Sequence, residues 1–86
     1  MWHVLWSEKS VRQLKKLDKK TAQIIRDRVL ELEDYPYKAA SRLAGSKFYK
    51  IRVGSYRVIL DIQQGKLIIF VIETDHRKHV YDQVLL

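Results

Sequence analysis

Lys50, Arg52 and Arg57 are the residues whose types and spacing point most directly to chemistry. They lie in Phe48 to Leu60, FYKIRVGSYRVIL, where apolar and polar residues alternate on either side of Gly54-Ser55. A glycine in the first place of a two-residue loop suits a type II′ hairpin. With that loop Val53 faces Tyr56, Arg52 faces Arg57 and Ile51 faces Val58. One face then carries Tyr49, Ile51, Val53, Tyr56 and Val58, and the other Lys50, Arg52 and Arg57. Like charges directly opposite each other, with Cβ atoms about 4.5–5.5 Å apart, weaken a sheet. Such a cluster is suited to holding and neutralising a polyanion. The plain alternative is the solvated face of an antiparallel sheet, but such faces mix signs and no acid lies between Lys47 and Leu60.

A second cluster, His76-Arg77-Lys78-His79 with Tyr81, follows the last strand pattern. Loops at strand ends often hold functional groups, and histidines can serve as acid and base near neutral pH. A polar turn is the alternative. His76 and His79 lack the spacing of a zinc motif, and no cysteine or carboxylate set completes one, so no metal site is expected. There is no glycine-rich phosphate loop and no serine nucleophile motif, and no cofactor is expected. The basic run from Lys9 to Lys20, with Lys15 and Lys16, can track a phosphate backbone or form a solvated helix face. Trp2 and Trp6 share one strand face and read as core.

These residues need elements to position them. Trp2 to Trp6 reads as a strand. Ser7 caps a helix to about Leu17, with Val11, Leu14 and Leu17 on one stripe and Glu8 in the first turn. Asp18 caps a second helix to about Tyr35, with Ala22, Ile25, Val29 and Leu32 on its apolar face, and Pro36 stops it. The two form an αα-hairpin. Tyr37 to Lys47 reads as a loop that pins Leu43 into the core. Strands follow at Phe48–Val53, Tyr56–Gln63 and Lys66–Thr74, the last two joined by a tight Gln64-Gly65 loop. Leu67 to Ile72 is apolar on both faces and reads as a central strand or as one covered on its second side. With that loop Arg57 faces Ile72 and Ile59 faces Phe70, so an apolar patch of Ile59, Ile68, Phe70 and Ile72 adjoins the basic cluster. Such a patch meets a protein partner or lies under Val84 to Leu86. Asp75 to His79 reads as a polar turn and Val80 to Leu86 as a short terminal segment. The expected fold is α+β: a β-α-α-β-β-β antiparallel sheet packed on one face by a helical hairpin.

Eighty-six residues suffice for a single domain with one modest core, and a 47% hydrophobic share excludes wholesale disorder. One proline and three glycines leave no room for a flexible linker. The net charge of +7 favours an acidic partner, nucleic acid above all. The absence of cysteine excludes disulfides and fits an intracellular protein. Met1 to Trp6 is too short for a signal peptide, and Leu67 to Ile72 is too short to span a bilayer. A soluble, cytoplasmic protein with no membrane association is expected.

The segments YKIRVGSYRVIL (Tyr49 to Leu60) and HRKHVYD (His76 to Asp82), together with the element order and the Pro36, Leu43, Gly45 spacing, resemble the RelE/ParE toxin superfamily on its RelE-like side. The resemblance spans nearly the whole chain. It implies a toxin of a type II toxin–antitoxin module: an endoribonuclease that cuts messenger RNA on the ribosome and is neutralised by a RelB-like antitoxin wrapped around it. The family's basic hairpin residues correspond to Lys50, Arg52 and Arg57, its arginine after the last strand to Arg77, and its C-terminal tyrosine to Tyr81. Lys47, His76, Lys78, Lys15 and Lys16 are the candidates for contacting RNA. Arg52 stands where some members use lysine, and the turn before Tyr81 is shorter than in some.

RNA supplies its own nucleophile, the 2′-hydroxyl. On this reading Tyr81 is the base or a stacking surface, the cations stabilise the phosphorane, and Arg77 or His76 supports the leaving 5′-oxygen. Competing expectations are a ParE-like toxin that poisons DNA gyrase, a non-catalytic nucleic-acid-binding module, and an inactive homologue that only binds its antitoxin.

Overall fold

The computed structural model describes residues 2–66 and 68–76. Strand β1 (His3–Trp6) leads into helix α1 (Glu8–Lys15). The turn into α1 is locked by two serines: the Ser10 amide donates to Ser7 Oγ at 3.0 Å, and Ser10 Oγ donates back to the Ser7 carbonyl at 2.8 Å. Helix α2 (Lys19–Leu30) starts at Asp18, whose carboxylate accepts from the Thr21 amide at 3.0 Å and the Thr21 hydroxyl at 2.6 Å. The Thr21 hydroxyl bond, and then its amide, hold the Asp18 pKa below the ordinary carboxylate value.

The second helix ends earlier than its apolar stripe suggests, tightening into a 3-10 turn at Glu31–Glu33. Glu31, Glu33 and Asp34 oppose the helix dipole at this end. Pro36 then opens a short helix α3 (Pro36–Ala39), a place that suits proline because its missing N–H is not needed there. The expected loop from Tyr37 to Lys47 therefore holds the rest of α3 and a two-residue strand, β2 (Ser41–Arg42). Leu43 is half-buried and lies outside the core cluster, contrary to expectation, and Ala40 is buried instead.

Strands β3 (Tyr49–Val53), β4 (Tyr56–Gln63) and β5 (Ile68–His76) complete a five-stranded sheet ordered β1-β5-β4-β3-β2. The α+β class and the central place of β5 are as expected. Three pairings are antiparallel, but β1 runs parallel to β5, so the sheet is mixed. Gly54 has φ +59°, as the first position of a primed turn requires, and the register Val53↔Tyr56, Arg52↔Arg57 and Ile51↔Val58 follows.

The β4–β5 register departs from expectation. A 3-10 turn at Gln64–Lys66 replaces the tight Gln64-Gly65 loop, so Gln63 pairs with Ile68. A register shift between Ile59 and Leu60 then pairs Ile59 with Glu73 and Arg57 with Asp75, rather than with Phe70 and Ile72. Asp75 and His76 are strand residues, not part of a turn. The expectations for Leu67, Arg77, Lys78, His79, Tyr81 and the terminal segment Val80 to Leu86 lie outside the described residues.

Both helices of the hairpin cover one sheet face. Leu14, Ala22, Ile25, Val29 and Leu32 pack with Ile51, Val53, Val58, Leu60 and Val71 in one buried cluster. Trp2 and Trp6 pack against it. Trp2 meets the Tyr37 ring edge-on at 6.0 Å, and Tyr37 meets Tyr49 at 5.6 Å.

Candidate nucleic-acid interface

Strand alternation divides the hairpin into an inner and an outer face. Ile51, Val53, Val58 and Leu60 point into the core, so Lys50, Arg52 and Arg57 occupy the uncovered face. Arg52 and Arg57 are direct cross-strand partners. Lys50 pairs with Ile59 on one side and Ser41 on the other. Arg52 is exposed; Lys50 and Arg57 are half-buried, and Arg57 Nε is withdrawn from solvent. These three cations of the sequence reading share one surface. Their opposition on β3 and β4 is built by Gly54, since a loop of different length would change the register.

The face is not purely basic. Asp61 lies on it, half-buried and accepting from Gln63 Nε2 at 3.0 Å. Register places Glu73 opposite Ile59 and Asp75 opposite Arg57 on the same face. The cations thus gather on β3 and the adjoining end of β4, and the acids on β4 and β5. Alternation counted along a regular β5 puts residues 73 and 75 on the other face, and no side-chain signature announces the extra residue that reverses them.

The apolar part of this face also differs from the expected set. Ile59 and Phe70 are half-buried on it, and Ile68 takes a register position there. Ile72 falls at the register shift and pairs with neither Ile59 nor Arg57. Leu5, 48% exposed and beside Phe70 in the β1–β5 ladder, joins the patch. The alternation of Trp2, Val4 and Trp6 inward signals this placement of Leu5.

The remaining candidates lie elsewhere. Lys47 is exposed just before β3, with its ammonium 5.5 Å from the Phe48 ring centroid. Lys15 and Lys16 are exposed at the end of α1, on the helical layer and hence away from the cationic face. Lys15 borders a groove of about 350 Å³ with Leu17, Lys19 and Arg26. His76 pairs with Tyr56 at the end of β5, a register position on the helix-covered face rather than on the cationic one. Arg77, Lys78 and Tyr81 lie outside the described residues. Among the described residues no group of three or more His, Cys, Asp or Glu could hold a metal ion, and no helix is long and apolar enough to cross a membrane.

A mixed five-stranded sheet under a helical hairpin has close counterparts among solved toxins. The backbone matches the RelBE2 toxin–antitoxin complex from Mycobacterium tuberculosis with a TM-score of 0.79 at 20% identity, covering 88% of this chain and 98% of that one. It matches isolated RelE from E. coli with a TM-score of 0.76 at 20% identity, covering 99% and 96%. For the archaeal RelE–RelB complex from Pyrococcus horikoshii the TM-score is 0.76 at 24% identity, covering 88% and 94%. The class is therefore that of RelE-fold proteins. The family model for the ParE toxin of the type II toxin–antitoxin system parDE matches residues 4–81, and the chain belongs to that family, within the RelE/ParE superfamily of type II toxins. No curated protein matches the sequence.

Proposed function

We propose that this toxin is an endoribonuclease that cleaves messenger RNA on the ribosome. The observation that carries this reading is the direct opposition of Arg52 and Arg57, with Lys50 beside them, on the uncovered sheet face. Two cations held against their own repulsion suit a dianionic phosphorane better than they suit an isolated fold. In the reaction the 2′-oxygen bonds to phosphorus and the P–O5′ bond breaks. The 2′ proton passes to a base and another proton reaches the departing 5′-oxygen, leaving a 2′,3′-cyclic phosphate and a 5′-hydroxyl. Lys50, Arg52 and Arg57 stabilise the charge on phosphorus. Tyr81, as base or stacking surface, and Arg77 or His76, beside the leaving oxygen, complete the set suggested by family resemblance. A chain so poor in acid–base groups is expected to cut free RNA weakly, with the ribosome aligning the substrate.

The partner in this reading is a RelB-like antitoxin, since several of the matched structures are RelE toxins bound to RelB. Leu5, Ile59 and Phe70 offer it an apolar footing. The chain acts in the cytoplasm, where messenger and ribosomes are.

The test is primer extension on a defined message in a translation extract. Wild type should give discrete cuts. Arg52→Ala with Arg57→Ala should remove them while circular dichroism stays native. A double variant cutting at the wild-type rate would exclude this site. The match to the ParE family favours one second reading, inhibition of DNA gyrase through protein contacts. A gyrase supercoiling assay run beside the extract separates the two, because inhibition that survives loss of the cations fits only the second.

A further inference from the structure

From Pro36 to Leu60 the chain holds the cations Lys38, Arg42, Lys47, Lys50, Arg52 and Arg57, and no acid. The last three form the open face. Arg42 and Lys47 flank the turn between β2 and β3, and each lies over an aromatic ring. The Arg42 guanidinium carbon is 5.5 Å from the Tyr49 ring centroid, and the Lys47 ammonium is 5.5 Å from that of Phe48. Both cations are exposed. Arg42 Nε also donates to the Ser46 carbonyl at 3.1 Å, which ties the guanidinium to this turn. The row of rings continues from Tyr49 to Tyr37, which is 43% exposed and donates its hydroxyl to Gln64 Oε1 at 3.2 Å. Lys38, over Tyr35, follows the acids Glu33 and Asp34 and so offers a weaker anion site.

Strand β2 is the last of the sheet, so no strand lies between Lys50 and this rim. Ser41 pairs with Lys50 on the open side, and Arg42 with Tyr49 on the helix side. Neighbouring strands are about 4.8 Å apart, so a nucleic-acid backbone leaving Lys50 over β2 meets the rim at once. We infer that the β2 rim is a second contact for single-stranded RNA, with Arg42 and Lys47 on phosphates and Tyr37 or Phe48 under an unpaired base. Cations interleaved with aromatic rings suit that ligand, because its bases stack on rings while its backbone follows the charge. The acid Asp61 is on β4, with β3 between it and the rim. The apolar pair Leu5 and Phe70, which suits a protein, is at the opposite edge on β1 and β5.

The inference rests on the nuclease reading for its ligand, and the experiment measures binding without cleavage so that the two can fail separately. Fluorescence anisotropy over a salt series follows 2′-O-methyl oligoribonucleotides of about 4 and about 12 nucleotides, the longer able to cover both the open face and the rim. Wild type should bind the longer strand more tightly. Arg42→Ala should lower its log–log salt slope by about 0.7, and Arg42→Ala with Lys47→Ala by about twice that. The short strand should respond to Arg42→Ala hardly at all. Tyr37→Leu should weaken the long strand about 5- to 150-fold at an unchanged slope, whereas Tyr37→Phe, which keeps the ring, should bind as wild type does. Thermal melting checks that each variant is folded, and the two cation variants carry the test if Tyr37→Leu is not. Equal affinity of wild type for both strands, an unchanged long-strand slope in the double variant, or an Arg42→Ala loss shared equally by the short strand would each overturn the rim. So would cation variants that lose only an acidic polyglutamate probe, which would assign the rim to a protein. Message cleavage in a translation extract reads the nuclease independently: wild type cutting normally while the rim variants bind unchanged would sink the rim alone. A wild type that cuts nothing would remove the nuclease and leave the rim to be decided by the binding data.

Discussion

Thr74 shows how a polar residue is accommodated at the buried end of β5. Its amide lies beyond the last β1–β5 pair, Trp6↔Val71, and donates to the Gln13 side-chain carbonyl on α1 at 2.6 Å. Gln13→Leu removes that acceptor and leaves a buried N–H unpaired, so urea unfolding should show a loss of about 1–3 kcal/mol. The Thr74 hydroxyl has the opposite problem, since Oγ1 is buried and makes no hydrogen bond among the described residues. Thr74→Val keeps the shape and removes the unsatisfied oxygen, so the same measurement should give no loss, or a gain of about 1 kcal/mol. Neither feature is visible in the sequence, because Gln13 and Thr74 are 61 positions apart. The cationic trio was legible, since strand alternation alone places Lys50, Arg52 and Arg57 on one face.

At the scale of elements, the parts legible in the sequence are those set by local chemistry. Ser7 and Asp18 were recognisable as caps because their short oxygen-bearing side chains can accept a backbone N–H of the first turn, here those of Ser10 and Thr21. The Asp18 cap gives stability a pH dependence with a definite sign. Its pKa lies below 3.8 in the folded chain, so its contribution is fully present above the unfolded value and fades as pH falls through the lower, folded one. Asp18→Asn, which cannot titrate, should flatten this acid limb, and melting temperatures taken between about pH 5 and pH 2 will show whether it does. The Arg12–Glu8 pair, 3.9 Å apart and well exposed, should add little. The elements missed were those that local pattern leaves ambiguous. Pro36 reads equally as the end of one helix or the first residue of another. The four residues of β1 carry nothing that fixes their direction against β5. The bulge at Ile72 falls at the end of an apolar run, directly after Ile69, Phe70 and Val71, so alternation gives no warning of it.

At the scale of the whole molecule, the helical hairpin and the cationic face look in opposite directions across the sheet. The net charge of +7 is therefore distributed over two surfaces, and a short RNA strand lying on the open face does not reach Lys15 and Lys16. Lys15→Ala with Lys16→Ala should leave the affinity for a short single strand unchanged. If ribosomal RNA embraces both layers, the same pair should flatten the dependence of ribosome binding on salt by about 0.7–0.9 in log–log slope for each phosphate no longer neutralised. Filter binding of the oligonucleotide and sedimentation with ribosomes, each over a salt series, provide the comparison, and an unchanged ribosomal slope would confine the RNA footprint to one side.

The supernumerary Ile72 makes the length of β5 matter in a way that its composition does not. Inserting one further residue beside it would rotate everything from Glu73 onward by half a pleat, driving two carboxylate positions toward the hydrophobic interior and bringing a threonine out beside the arginines, whereas deleting Ile72 would close the bulge and keep the present pairing. The turn at Gln64–Lys66 could gain residues with far less harm, since it lies ahead of the paired segment. Drift in this family member should therefore tolerate many exchanges of one aliphatic side chain for another along the strand, and almost no lengthening between Val71 and Glu73.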